Sequence, residues 1–286
     1  MTRKVGMMDM PLFRRIVDES ALWGSELRLF NFGEPLLHPG FTDMIRYAGS
    51  KRLQVNFQTN GLLLDRQRTT ELLDAGVGYI GVSVNGLTAA EYAGIRPGHD
   101  LETVKQNVRG MYELAREKSA ALYIHINAQI TAEERNLRSN DIRAFIAYWE
   151  GIPDSLSVSG ISMYDRIDVF SQGRMSRVDQ QGLARRNLDQ VKCNEPFDRI
   201  VIKWDGRVTP CCADYDARLV VGRAGDDSLH DIWHGPALNR LREIVAGRRF
   251  QECDLCASCP KMYSTDFTLL FKKPSKGAVA REGAQV

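Results

Sequence analysis

"LRLFNFGEPLLHPGF", residues 27–41, decides the fold. Its apolar run ends abruptly in Gly33-Glu34-Pro35, and a second turn signal follows at His38-Pro39-Gly40. Taken alone, this is an ordinary junction from strand through loop to helix. A glycine and a carboxylate at the end of a strand also make an edge that holds something, and the rest of the chain has to choose between the two.

Working outward, strand and helix patterns alternate. Residues 10–23 space their apolar side chains as a helix does, and 27–32 read as a strand. A helix follows over 41–50, closing near Gly49, then a strand at 53–58 and a helix at 65–76 with Gly76 at its C-terminal position. The series continues with a strand at 79–84, a long helix at 101–118, a strand at 121–130, a helix over 139–150 and a last strand at 155–163. Strands separated by helices make βαβ units around a parallel sheet. Such a sheet opens into a doubly wound fold or curls into a barrel, and in both the ligands sit at the carboxyl ends of the strands. Here those ends carry Gly33-Glu34, Thr59-Asn60-Gly61, Ser83 with Asn85-Gly86, Gln129 with Thr131, and Tyr164-Asp165. Turn chemistry accounts for some of these residues. A run of five polar strand ends points further, to a binding rim. The series opens on a helix, so the strand expected before it is missing.

At 286 residues the chain is long enough for one large domain, or one domain and a smaller appendage. Its net charge of +2, with both signs interspersed, gives no footprint for nucleic acid or an anionic membrane. No apolar run reaches the length of a membrane span, and the N-terminus has no signal core, so a cytoplasmic protein is expected.

The six cysteines all lie at or after Cys193. A secreted disulfide framework would spread them through the chain, whereas thiols confined to the final third point to metal or cluster ligation. Inert buried thiols are the plainer alternative, above all for Cys212 beside Cys211. The run from Cys193 reads C-x12-G-x4-C, and Asp205-Gly206 marks a hairpin that brings Cys193 and Cys211 toward one end. Cys253, Cys256 and Cys259 then follow at the tight spacing of a turn that offers several thiolates to one centre. A zinc site accepts four thiolates but usually pairs two tight knuckles, of which only one is present. An iron–sulfur cluster also takes four thiolates, and tolerates ligands far apart in sequence.

On these residues, 193–260 closely resembles a SPASM domain, the auxiliary iron–sulfur module of many radical SAM enzymes. The resemblance rests on the cysteine hairpin, the segment Ser228-Leu-His-Asp-Ile-Trp233, Leu238 with Leu241-Arg242, and the final cysteine group. The upstream half resembles the radical SAM partial barrel, with Asn31-Phe-Gly-Glu-Pro35 in place of that family's Gly-Gly-Glu-Pro motif. The resemblance implies an α/β fold: a partial (β/α)6 TIM-like barrel over 1–185 that lacks its first strand, and a small SPASM or twitch-like domain with a β-hairpin over 186–265. Residues 266–286 are expected as a flexible tail. It also implies that Gly33 and Glu34 hold the amino group of S-adenosylmethionine (SAM), with Thr59, Asn60 and Ser83 lining the same cleft. Phe32 departs from the motif's first glycine and narrows the backbone approach there.

The implied cofactors are SAM and one auxiliary [4Fe–4S] cluster on Cys193, Cys211, Cys253 and Cys256, with Cys259 as alternate to the last. The family's C-x3-C-x2-C loop, which binds the SAM-cleaving cluster, has no counterpart here. The expectation is that Met1 is an internal methionine and that a second [4Fe–4S] cluster belongs only to a full-length form. In intact relatives, cleaved SAM yields a 5′-deoxyadenosyl radical that takes a hydrogen atom from substrate. The implied function is therefore a radical SAM oxidoreductase acting on a peptide or small molecule, served by a reductant such as a flavodoxin or ferredoxin, and inactive without that loop. The rival reading is an iron–sulfur or zinc protein without radical chemistry, acting as partner or carrier.

Acid–base residues are less legible. Tyr164, Asp165, Asp214 and Tyr215 are read as rim or turn polarity, His230 and His234 as surface, and His125 as a satisfied core residue. Trp204 and Trp233 are read as packing anchors of the small domain.

Overall fold

In the computed structural model, residues 4–130, 139–160, 191–257, 259 and 267–272 are described. Five parallel strands are laid down in chain order: β1 (Leu27–Arg28), β2 (Val55–Thr59), β3 (Tyr79–Asn85), β4 (Tyr123–Ile130) and β5 (Ser155–Gly160). Helices α1 (Met10–Ala21), α2 (Phe41–Ser50), α3 (Arg66–Asp74), α4 (Ala89–Ile95), α5 (Leu101–Glu117) and α6 (Ser139–Tyr148) surround or connect them. This is the parallel α/β architecture expected of a partial barrel.

Several helices start where the sequence supplies an acceptor for an orphan N–H. Asp9 accepts from Leu12, Asp65 from Arg68, and Asp100 from Glu102. The helix α4, which the hydrophobic periodicity does not predict, begins with a full capping box between Thr88 and Glu91.

The two faces of the sheet differ in chemistry. Outward residues such as Phe57, Ile80, Val82, Ile124, Ile126, Leu156 and Val158 join the main core with Val104, Val108 and Met111 of α5. Inward residues are polar. Register aligns Gln58 with Gly81, His125 and Ser155, then Ser83 with Asn127 and Ser157, then Asn85 with Gln129 and Ser159. A parallel sheet covered by helices on both faces would bury apolar side chains on each. One polar face therefore marks an interior meant for ligand.

Two expected boundaries shift. The strand expected at 27–32 pairs only through Leu27–Arg28 plus one bond from Leu29 N–H to the Asn56 carbonyl, because the chain turns away at Asn31–Gly33. The tail expected at 266–286 begins instead with a strand, β9 (Phe267–Lys272), antiparallel to β5. Its TLL core and flanking phenylalanines pair across a long sequence separation, which no local pattern announces. Tyr164 and Asp165 lie outside the described residues.

The cysteine-rich part has its own small sheet, β6 (Val201–Ile202), β7 (Arg207–Thr209) and β8 (Gly222–Arg223), with the Asp205-Gly206 turn between the first two. Gly206 has φ +85°, the left-handed conformation that such a turn demands. Helices α7 (Glu195–Asp198), α8 (Leu229–His234), α9 (Pro236–Ala246) and α10 (Asp254–Ala257) accompany it.

This module docks on α1. Val208, Ala224 and Ile232 share a buried cluster with Ile16, against which Met8 and Leu12 also pack. The Glu19 carboxylate accepts from Leu229 N–H at 2.5 Å. Trp204 donates to the Lys4 carbonyl at 3.1 Å and leaves no room for a side chain at Gly6, so it anchors the N-terminal segment to the hairpin. Trp233 packs within the module under the Arg242 guanidinium, 4.3 Å from its ring. His230 and His234 are exposed.

Candidate functional site

The loop after β1 and the loop after β2 are tied into one knot by Glu34. Its carboxylate accepts from Thr59 Oγ1 at 2.7 Å, from Asn60 N–H at 2.7 Å, and from Leu36 N–H at 3.1 Å. Thr59 Oγ1 accepts in turn from Gly61 N–H, and Asn60 Oδ1 from Leu62 N–H. Asn107 of α5 donates to the Gly61 and Leu62 carbonyls at 3.0 and 3.1 Å, fixing the second loop from beneath. Sequence reasoning missed Asn107, since one polar residue on a long helix carries no local signal.

The first loop is held on its far side by His38. Its Nδ1 accepts from Gly40 N–H, so its Nε2 carries the proton and donates to the Met8 carbonyl at 2.9 Å. The turn signal in the opening stretch therefore works as a strut. Gly33 has φ +149° and nothing within 4 Å of where a Cβ would stand. Its conformation requires glycine, and its free face leaves the backbone open to a ligand.

Glu34, Thr59 and Asn60 thus come together, beside Gly33. Ser83 stands apart from the knot, on the inner face of β3 in register with Asn127. Farther down that face, His125 bonds Ser155 Oγ at 2.7 Å and Ser157 Oγ at 3.0 Å, and burial lowers its pKa, favouring the neutral ring. It is a satisfied residue. Asn127 donates to Ser157 Oγ at 2.8 Å, and Tyr79 and Tyr123 stack at 5.6 Å.

In the module, Cys193, Cys253, Cys256 and Cys259 pack against Val191, Leu241, Val245 and Phe250. Cys211, past the end of β7, has its thiol pushed up to about 12, first by burial, with Cys212 and Cys259 acting on it electrostatically. Cys253 and Cys256 share a hydrogen bond that favours ionisation of Cys253 and keeps Cys256 protonated. Cys212 is exposed, within 4.0 Å of the Glu195 carboxylate. Asp214, nearly inaccessible, accepts from Arg218 and Leu219 N–H at 2.7 and 2.8 Å and shapes the loop after the cysteine pair. It is turn polarity, as expected. All six cysteines are free thiols.

The thiols are sulfur donors in apolar surroundings, a chemistry that suits iron–sulfur ligation, but among the described residues no three His, Cys, Asp or Glu side chains converge closely enough to hold a metal ion. Among the described residues, Arg96 Nε and the Tyr92 hydroxyl, beyond the carboxyl end of β3, are buried without a hydrogen-bond partner. Buried polar atoms are usually satisfied, so each such atom needs an explanation.

A parallel sheet with one polar face, joined to a module whose cysteines pack on a small apolar cluster, sets two chemically distinct regions side by side. Comparison with known proteins supplies the family. The radical SAM superfamily model matches residues 2–127, and the SPASM iron–sulfur cluster-binding domain matches 193–260. The chain belongs to the radical SAM proteins that carry a SPASM domain. It is 25% identical to the tungsten-containing aldehyde ferredoxin oxidoreductase cofactor-modifying protein of Pyrococcus furiosus, over 94% of this chain and 85% of that one. Among solved structures it is similar in fold to BtrN in complex with AdoMet and 2-DOIA, at TM-score 0.57 and 18% identity, covering 90% of this chain and 81% of that one. It is also similar to Streptococcus suis SuiB bound to S-adenosylmethionine, at TM-score 0.61 and 15% identity, covering 91% and 67%. The two domains imply SAM and [4Fe–4S] clusters as cofactors. No helix among the described residues is long and apolar enough to cross a membrane.

Proposed function

We propose that the protein is a radical SAM/SPASM oxidoreductase acting on a peptide or small molecule held against the polar inner face of the sheet. The observation that carries this reading is the Glu34–Thr59–Asn60 knot beside an open Gly33 backbone, at the carboxyl ends of strands whose inner face is polar. In this reading Gly33 and Glu34 hold the methionyl amino group of SAM, with Thr59, Asn60 and Ser83 in the same cleft. With a SAM-cleaving cluster, for which residues 1–192 offer no thiolates, SAM would supply a hydrogen-abstracting radical. The protein's own residues bind, orient and exclude water.

Cys193, Cys211, Cys253 and Cys256 hold the auxiliary cluster, with Cys259 as alternate to the last. A flavodoxin or ferredoxin of the cytoplasm delivers electrons. Because no cysteine precedes Cys193, residues 1–192 supply no thiolate ligands for a SAM-cleaving cluster, and the 286-residue chain by itself should cleave no SAM. The same observation favours a second reading, an iron–sulfur partner or carrier without radical chemistry.

Anaerobic reconstitution followed by equilibrium dialysis with SAM tests both. The first reading expects about four irons per chain and SAM binding that is lost in Glu34→Ala. Iron uptake without SAM binding supports the carrier. Stoichiometric zinc with no iron overturns both.

A further inference from the structure

An aromatic contact joins the loops of the two regions. The Phe32 ring, partly exposed, lies 5.2 Å from the Tyr215 ring at a tilt of 58°. Phe32 immediately precedes Gly33 and Glu34, and Tyr215 follows the buried Asp214 in the loop that leaves Cys211 and Cys212. Both ends are braced. On one side Glu34 ties its loop to Thr59 and Asn60, and on the other Asp214 ties its loop to Arg218 and Leu219. A ring pair between two braced loops passes displacement of one to the other, since neither loop is free to absorb it.

A second link lies at the opposite end of β1. Glu26 is paired with Arg28, and charges on the module act there: Glu195 on Arg28 and Arg199 on Glu26. Charges of the module thus stand close enough to act electrostatically on this end of β1. The Phe32–Tyr215 pair lies at the end that carries the Gly33–Glu34 loop.

We infer that Phe32 and Tyr215 form a positioning pair that couples the auxiliary-cluster loop to the Gly33–Glu34 loop, so that loading the cluster pre-orders the SAM site. Phe32 stands where the related motif carries a glycine, and the ring gives this chain a grip on the module that a glycine lacks. The inference rests on the assignment of SAM to Gly33–Glu34. Binding that orders a shared element lowers the cost of the second binding event, and the linkage is reciprocal.

The test uses the full chain, with and without its reconstituted cluster, in two measurements. Hydrogen exchange of the peptide spanning residues 29–38 reports loop order, and equilibrium dialysis reports SAM affinity. Cluster loading should slow exchange of that peptide in the wild type and in Tyr215→Phe, which keeps the ring, but not in Tyr215→Leu. In the loaded protein, Tyr215→Leu and Phe32→Ala should each weaken SAM binding about 2- to 10-fold, the range of one aromatic pair. The double variant should lose no more than the worse single variant. Equal iron content and circular dichroism across the variants keep misfolding from imitating the result.

Cluster-dependent protection that persists in Tyr215→Leu, or strictly additive losses, overturns the coupling. Failure of the loaded wild type to bind SAM overturns the cofactor assignment beneath it, and the unchanged exchange measurement tells that failure from the first.

Discussion

The barrel and the cysteine module hold their sites by opposite means. In the barrel, Glu34 fixes its loops through three hydrogen bonds, Asn107 supports them from α5, and a large apolar core lies behind the strands. In the module, the thiols lean on a cluster of four buried side chains, Val191, Leu241, Val245 and Phe250. Strands β6 and β8 are two residues long. The barrel site is built by the polypeptide, whereas the thiols, which lean on a small cluster apart from the one that docks the module on α1, leave more of their arrangement to the inorganic group. One site should therefore survive cofactor loss and the other should not.

Cluster removal gives the largest expected difference. Chelation, or Cys253→Ser with Cys256→Ser, should take iron from about four per chain toward zero and release amide protection across residues 193–257. Residues 53–130 should keep theirs. A module that stays protected without iron would break the contrast.

Glu34→Ala comes next. It strands Thr59 and Asn60 donors and should cost roughly 2–3 kcal/mol by urea unfolding, with Glu34→Gln intermediate. Asp214→Ala should be smaller, about 1–2 kcal/mol, and confined to the module. It sharpens the comparison if iron uptake falls while the barrel's exchange is unchanged. The smallest effect belongs to His125. Burial lowers its pKa from the ordinary 6.5. Below that ordinary value the unfolded chain binds a proton that the folded ring refuses, so stability falls with pH until the depressed folded pKa is passed. Above it the contribution is flat. His125→Gln should remove this acid-side slope in urea titrations at successive pH values.

The βαβ order is legible because each helix and strand carries its own period. So is the cysteine pattern, since the spacing of Cys253, Cys256 and Cys259 is itself local geometry. The polar interior is also written locally: Tyr79, Gly81, Ser83 and Asn85 alternate with Ile80, Val82 and Val84, unlike the continuous apolar run of a strand buried on both faces. The Thr88–Glu91 capping box announces α4, a short helix easily hidden between two longer elements. Other features have no local signature. The truncation of β1 follows from where the chain must turn to present Gly33, and β9 exists only because β5 offers a partner. The knot at Glu34 joins residues 25 and 26 positions apart, a relation that spacing alone does not reveal.

The pairing of β9 with β5 has a consequence for how the cysteine module is carried. In sequence, the cysteine module falls between β5 and β9, and those two strands are neighbours in the sheet. Deleting Phe267–Lys272 would bare the backbone edge of Ser155–Gly160 and invite association between molecules there.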